Sequence, residues 1–157
     1  MKINYLNIYN NLIKLTRNKI LYEIKHNNET FSDRLIIFFL HFGFFLKSYK
    51  NNSNKRQIQE LYDFVFKQIE LSIREIGYGD ASVNKKMKEY INLMYFIIDK
   101  VELWEKSNLN EKSNFFSKFL EQKRDSSLYI NYFDKYRVYL SKKTFIYFTK
   151  EVINHKF

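Results

Sequence analysis

Apolar side chains recur every three or four residues along most of this chain, the spacing that lines one face of an α-helix and not one side of a strand. The clearest case covers residues 55–76. There Ile58, Leu61, Tyr62, Val65, Ile69, Ile73 and Ile76 form one stripe, and Arg56, Glu60, Asp63, Lys67, Glu70 and Arg74 form a polar face expected to be solvated. Gly77 can stop that helix by adopting positive φ. A second long helix is predicted to begin after Gly79 and Asp80 and to run to about residue 106, with Asp80 or Ser82 as cap and Val83, Met87, Tyr90, Ile91, Met94, Ile98 and Val101 turned inward. Upstream, the pattern predicts a helix over 3–25 and another from Thr30 or Ser32 to Tyr49, followed by the polar connector Asn51, Asn52, Ser53 and Asn54. Downstream, Asn108 or Asn110 should open a helix reaching 124, and two shorter helices are expected over 127–139 and 142–155.

One segment departs from amphipathic patterning. Residues 35–46 read LIIFFLHFGFFL and are apolar all round. A membrane-spanning helix needs roughly 18 or more such residues, and here His41 interrupts the run while Lys47 and Lys50 follow it. The segment therefore reads as a helix buried at the centre of the fold. The expected architecture is all-α: a single compact domain over residues 1–157, of about six to seven helices around a central apolar one.

Composition supports this. The chain has 157 residues, no Pro and three Gly, too few turn formers for a sheet protein of this size. A domain this long buries roughly 70% of the surface its unfolded chain exposes, so it needs no covalent staples. With no Cys it has no disulfide, thiolate metal site or Cys nucleophile. No secretory signal pattern opens the chain: Asn10, Asn11 and Lys14 break the first apolar stretch.

The formal net charge is +10 and the aromatic share 19%. A basic surface attracts polyanions such as nucleic acid, the ribosome or an anionic membrane face. The same excess of Lys, Asn, Ile, Phe and Tyr also follows from an AT-rich coding bias, which leaves the function of the charge open. No RNP, KH or helix-turn-helix signature accompanies it.

Catalytic chemistry is hard to assemble from these residues. His26, His41 and His155 are far apart and none has metal-ligand spacing. His41, within the apolar helix, reads as a hydrogen-bonded core histidine. Gly77 and Gly79 supply only G-x-G after a helix, which is not a dinucleotide fingerprint. Glu75 and Asp80 flank a turn and read as caps or ion-pair partners, and Ser72 has no neighbouring base in sequence. The chain is expected not to be an enzyme and to carry no cofactor and no metal.

The most distinctive stretch is the corner SIREIGYGDASVNKKMK, residues 72–88. Two glycines separate two amphipathic helices, Asp80 can serve the exposed amides of the second, and Lys85 can pair with Glu89 at i,i+4. Lys85, Lys86 and Lys88 make a positive patch beside a helix start. From these residues alone the corner is either a capped turn with a solvated lysine face or a binding surface.

The corner resembles the signature of the ubiquinol–cytochrome c chaperone family, which has a segment close to S-L-R-E-M-G-V-G-D-L-x-V-P-K-x-M-K. Ser72, Arg74, Glu75, Gly77, Gly79, Asp80, Val83, Lys85, Met87 and Lys88 fall on matching positions. Thr30, Phe31 and Arg34 resemble the family's T-F-D-G-R-F, Leu40 and His41 its L-H pair, and Leu61, Asp63 and Phe66 its L-F-D-x-M-F run. The likeness covers residues 30–98 and is loose beyond Trp104. Asn84 stands where the family often has Pro, Ile76 where it has Met, and Ser32 and Asp33 where it has D-G. The resemblance implies an all-helical fold and a role in assembling ubiquinol–cytochrome c reductase, respiratory complex III. The implied partners are cytochrome b or another complex III subunit, the ribosome, a small partner protein and peripheral contact with an anionic inner membrane. Arg74, Glu75, Gly77, Gly79, Asp80, Lys85 and Lys88 are the expected partner-binding residues. A bacterial, alphaproteobacterial-type member is expected, hence a cytoplasmic location at the inner membrane, or a mitochondrial one in a eukaryote. A basic nucleic-acid- or ribosome-binding module, and a structural interaction domain without a chaperone role, stay open beside it.

Overall fold

The protein is seen here as a computed structural model, described over residues 3–22, 30–119, 126–153 and 157. Those residues form seven α-helices and no strand: α1 Tyr5–Thr16, α2 Phe31–Tyr49, α3 Lys55–Ile76, α4 Asp80–Glu102, α5 Leu109–Ser117, α6 Ser126–Ser141 and α7 Tyr147–Lys150. The all-α reading holds, and so does the placing of the apolar helix. Every residue from Phe38 to Leu46 on α2 is buried, and α2 packs against α1, α4 and α6 at once. A helix surrounded on three sides has no solvent face to mark with polar residues, which explains its missing amphipathicity. No helix among the described residues is long and apolar enough to cross a membrane.

Thr30 opens α2 with a reciprocal cap. Its hydroxyl accepts from the Asp33 amide at 3.1 Å, and its own amide donates to the Asp33 carboxylate at 3.3 Å. Asn108 and Glu111 do the same for α5.

Gly43 sits where α4 crosses α2. A Cβ placed on it would lie 2.8 Å from Ile97 Cγ2, with Met94 Cε and Val101 Cγ2 at 3.7 Å. The missing side chain lets the two central helices approach, and Ile97, absent from the predicted inward set, is fully buried at that point.

Four boundaries differ from the sequence reading, and at three of them a tertiary contact takes the backbone out of the helix. The first helix ends at Thr16. Asn18 then caps a 3-10 turn, Lys19–Leu21, and the Tyr22 hydroxyl donates to the Thr16 carbonyl at 2.7 Å. Residues 23–25 of the predicted helix, with His26, lie outside the described residues. The fourth helix ends at Glu102, where a 3-10 turn swings Trp104 inward among Phe44, Phe115 and Phe116. The fifth runs to Ser117 and a turn follows at Lys118 and Phe119; residues 120–124 lie outside the described set. The last predicted helix is reduced to Tyr147–Lys150. Beyond it, buried Asn11 on α1 donates to the carbonyls of Phe148 (3.1 Å) and Glu151 (2.8 Å) and accepts from the Ile153 amide at 3.0 Å. Asn7, one turn earlier, donates to the same two carbonyls. The chain end is thus bonded to α1 instead of to itself. His155 lies outside the described residues.

His41 is the polar centre of the core. It is fully buried, with Nδ1 2.8 Å from the Ile37 carbonyl and Nε2 2.7 Å from the Tyr132 hydroxyl. A carbonyl can only accept, so Nδ1 carries the proton and Nε2 accepts from Tyr132. Burial pushes the imidazole pKa down to about 4. Tyr136 adds a hydrogen bond to the His41 carbonyl at 3.0 Å, so α6 is bolted to α2 through this one residue.

Candidate functional site

The corner between α3 and α4 is built from two helix ends. Gly77 follows α3 with φ at 107° and donates to the Arg74 carbonyl at 3.0 Å. That conformation is open to glycine and strained for any residue with a Cβ. Gly79 needs no such freedom. Its φ is −72° and ψ 165°, and it occupies the cap position of α4, its carbonyl accepting from the Val83 amide.

The expected cap by Asp80 or Ser82 does not form, and α4 starts without a side-chain cap. Asp80 is instead the first residue of α4, and its carboxylate takes a short hydrogen bond from the Arg74 guanidinium. Arg74 reaches Glu70 as well, at 3.2 Å. These contacts raise the Arg74 pKa above its ordinary value, the bond to Asp80 first. Arg74 lies in the last turn of α3 and Asp80 in the first turn of α4. Each charge therefore sits at the helix end whose dipole favours it, and the pair closes the turn between them. Solvent-exposed pairs of this kind add little to stability; what this one supplies is a defined corner shape.

The remaining site residues face solvent. Glu75, Lys85 and Lys88 are exposed. No ion pair involves Lys85 or Lys88 among the described residues, and the Lys85–Glu89 pair is not formed. The structure thus brings Arg74 and Asp80 into contact, leaves Lys85 and Lys88 one turn apart on α4 without acidic partners, and gives the two glycines different jobs.

Apolar groups at the corner were missed by sequence reasoning. Ile76, expected to face inward, is 52% exposed, because the stripe of α3 runs out before the helix does. Tyr78 is 43% exposed and its ring lies under the Lys86 ammonium at 4.6 Å. The available signal was local: Ile76 and Tyr78 flank the glycine where the chain leaves the core. Among the described residues no group of three or more His, Cys, Asp or Glu side chains could hold a metal ion.

Fold and corner together define a class: a helical protein with a shaped, exposed corner that carries cations and apolar side chains. The family model for "Ubiquinol-cytochrome C chaperone" matches residues 25–103, about half of the chain and including the whole corner. The chain belongs to this family, and the family implies a non-enzymatic role. No curated protein and no solved structure matches the chain significantly.

Proposed function

We propose that this protein is an assembly chaperone for ubiquinol–cytochrome c reductase, respiratory complex III, and that the α3–α4 corner is its partner-contact surface. Family membership supports the role. The exposure of Lys85 and Lys88 without acidic partners supports the surface. Charges retained only for folding would be expected to find partners within the chain, whereas these meet solvent beside exposed Ile76 and Tyr78. In this reading Arg74 and Asp80 set the shape of the corner, with Gly77 and Gly79 making the turn, Glu75 and the two lysines supply charge, and the apolar pair supplies burial. Newly made cytochrome b is the client we favour, met at the ribosome or at the anionic inner membrane on its cytoplasmic or matrix side.

The test is Lys85→Glu with Lys88→Glu in a folded protein of unchanged melting, followed by measurement of complex III assembly in the source organism or a close relative. Loss of assembly is expected. If the partner presents phosphates, each lost contact also lowers the log–log salt slope of binding by roughly 0.7–0.9. If it is an acidic protein, the change falls mainly on the association rate. Normal assembly by the folded variant would return the corner to a purely structural role.

A further inference from the structure

A second site lies at the far end of α4 from the corner, where the chain leaves that helix and enters α5. An open cleft of about 240 Å³ forms there. Three ammonium groups line it: Lys100 from the last turn of α4, Lys112 from α5 and Lys118 just beyond α5. Aromatic rings hold each of them in place. The Lys112 nitrogen lies 5.0 Å from the centre of the Trp104 ring, while Lys118 and Lys100 reach one and the same ring, Phe96, at 4.7 and 5.7 Å. The ring quadrupole attracts a cation over its face, and the methylene stem packs on apolar surface behind it. The charged heads are therefore set around the cleft before any ligand arrives. None of the three forms an ion pair among the described residues.

The cleft also contains an acid. Glu111 lines it, with one oxygen accepting from the Asn108 amide at 3.3 Å in the cap of α5. Glu102 and Glu105, on the adjoining turn, are engaged elsewhere, with Lys47 and Arg137. Lys100 and Lys118 come from different segments onto one ring, and two like charges so placed repel each other. A multivalent anion between them converts that repulsion into attraction, and Lys112 offers a third contact in the same cleft. The space is several times the roughly 30 Å³ of one water molecule, more than a single phosphoryl group needs. Leu103, 55% exposed, adds an apolar lip, and Asn114 an amide donor. We infer that this cleft binds a small phosphorylated molecule through a diphosphate group, its oxygens on Lys100, Lys112 and Lys118. An ammonium group suits this ligand because it is a compact point charge with three donors.

Trp104 is the only tryptophan of the chain, so its fluorescence reports on the Lys112 ammonium above it. The experiment titrates the full chain, at constant ionic strength, with inorganic pyrophosphate, adenosine diphosphate and inorganic phosphate. Trp104 fluorescence and isothermal calorimetry read the binding. Saturable binding of pyrophosphate is expected, at least about tenfold tighter than phosphate, the worth of one further charge-assisted hydrogen bond. Equal affinities for the two diphosphates identify the diphosphate alone as the group that is read; tighter adenosine diphosphate adds a contact of the organic part with Leu103. Lys112→Ala and Lys118→Ala should each weaken binding about tenfold, and Lys112→Arg should keep it. Glu111→Gln preserves the reciprocal cap and removes a carboxylate from the cleft, so it should tighten binding. Circular dichroism and melting establish that each variant is folded. No saturable binding of pyrophosphate overturns the assignment. So does binding that folded Lys112→Ala and Lys118→Ala leave unchanged, or that Lys150→Ala, an exposed lysine outside the cleft, weakens as much. The cleft and the corner lie at opposite ends of α4, so Lys85→Glu with Lys88→Glu should leave this binding intact.

Discussion

Gly43→Ala adds a single methyl group at the crossing of the two central helices. Alone in an exposed helix this change would stabilise by about 1 kcal/mol, since alanine is the better helix former. Here the new Cβ would lie 2.8 Å from Ile97 Cγ2, against roughly 3.5–4.0 Å for an optimal carbon contact. Relief requires either that α2 and α4 move apart or that Ile97 leaves its rotamer. A β-branched side chain on a helix has essentially one χ1 available, and Ile97 is fully buried, so the helices must separate and loosen the packing around Met94 and Val101. Overpacking of this kind costs about 1–3 kcal/mol. Subtracting the propensity gain leaves a net destabilisation of up to about 2 kcal/mol. Gly43→Val, with two further carbons and a poorer helix propensity, should cost clearly more. The decisive measurement is a double-mutant cycle by urea unfolding, followed by far-UV circular dichroism. Ile97→Ala removes Cγ2 and by itself should cost about 2–5 kcal/mol. Combined with Gly43→Ala it should cost less than the sum, by about 0.5–3 kcal/mol, because the added methyl occupies part of the vacated space. A Gly43→Ala protein more stable by the full propensity gain, with an additive cycle, would refute the close approach.

Three further outcomes are expected. Gly77→Ala should destabilise by about 1–2 kcal/mol, purely from positive φ, since nothing lies within 4 Å of its Cβ position; Gly79→Ser should instead stabilise by a few tenths through a new N-cap, and equal losses in thermal melts would contradict the assignment of φ. The His41 pKa is lower folded, at about 4, than unfolded, near 6.5, so the unfolded state binds the proton first: stability is complete above about pH 6.5 and falls as pH drops toward 4, by on the order of 3 kcal/mol. His41→Phe should lose stability at neutral pH, by orphaning Tyr132, yet flatten this acid limb; an unchanged limb in urea titrations across that range would exclude His41 as its source. Asn11→Leu leaves the Ile153 amide without its acceptor and the Phe148 and Glu151 carbonyls with Asn7 as their remaining side-chain donor, and should cost about 1–3 kcal/mol, with faster proteolysis after α7; a melting point equal to that of the parent would show the chain end is held otherwise.

Much of this architecture was written in the chain. Periodicity placed α3 at both ends and located α4, because a helix that buries one face must repeat it every turn. The length and totality of the apolar run in α2 marked it as central. The corner was legible too, since Gly77 and the flanking charges act within a few residues of one another. Tertiary structure alone decided what depends on residues distant in sequence. Trp104 turned inward because Phe44 and α5 were there to receive it, and α7 stopped because Asn11, on the first helix, claimed its carbonyls. Tyrosines that composition alone ascribes to coding bias became fasteners: Tyr22, Tyr49, Tyr132 and Tyr136 each place a hydroxyl on another part of the core. Asp80 became a partner for Arg74 instead of a cap, because the turn brings a cation within reach of the helix start. Local rules act through covalent neighbours and are readable in one dimension; burial, pairing and cavities arise from the meeting of surfaces.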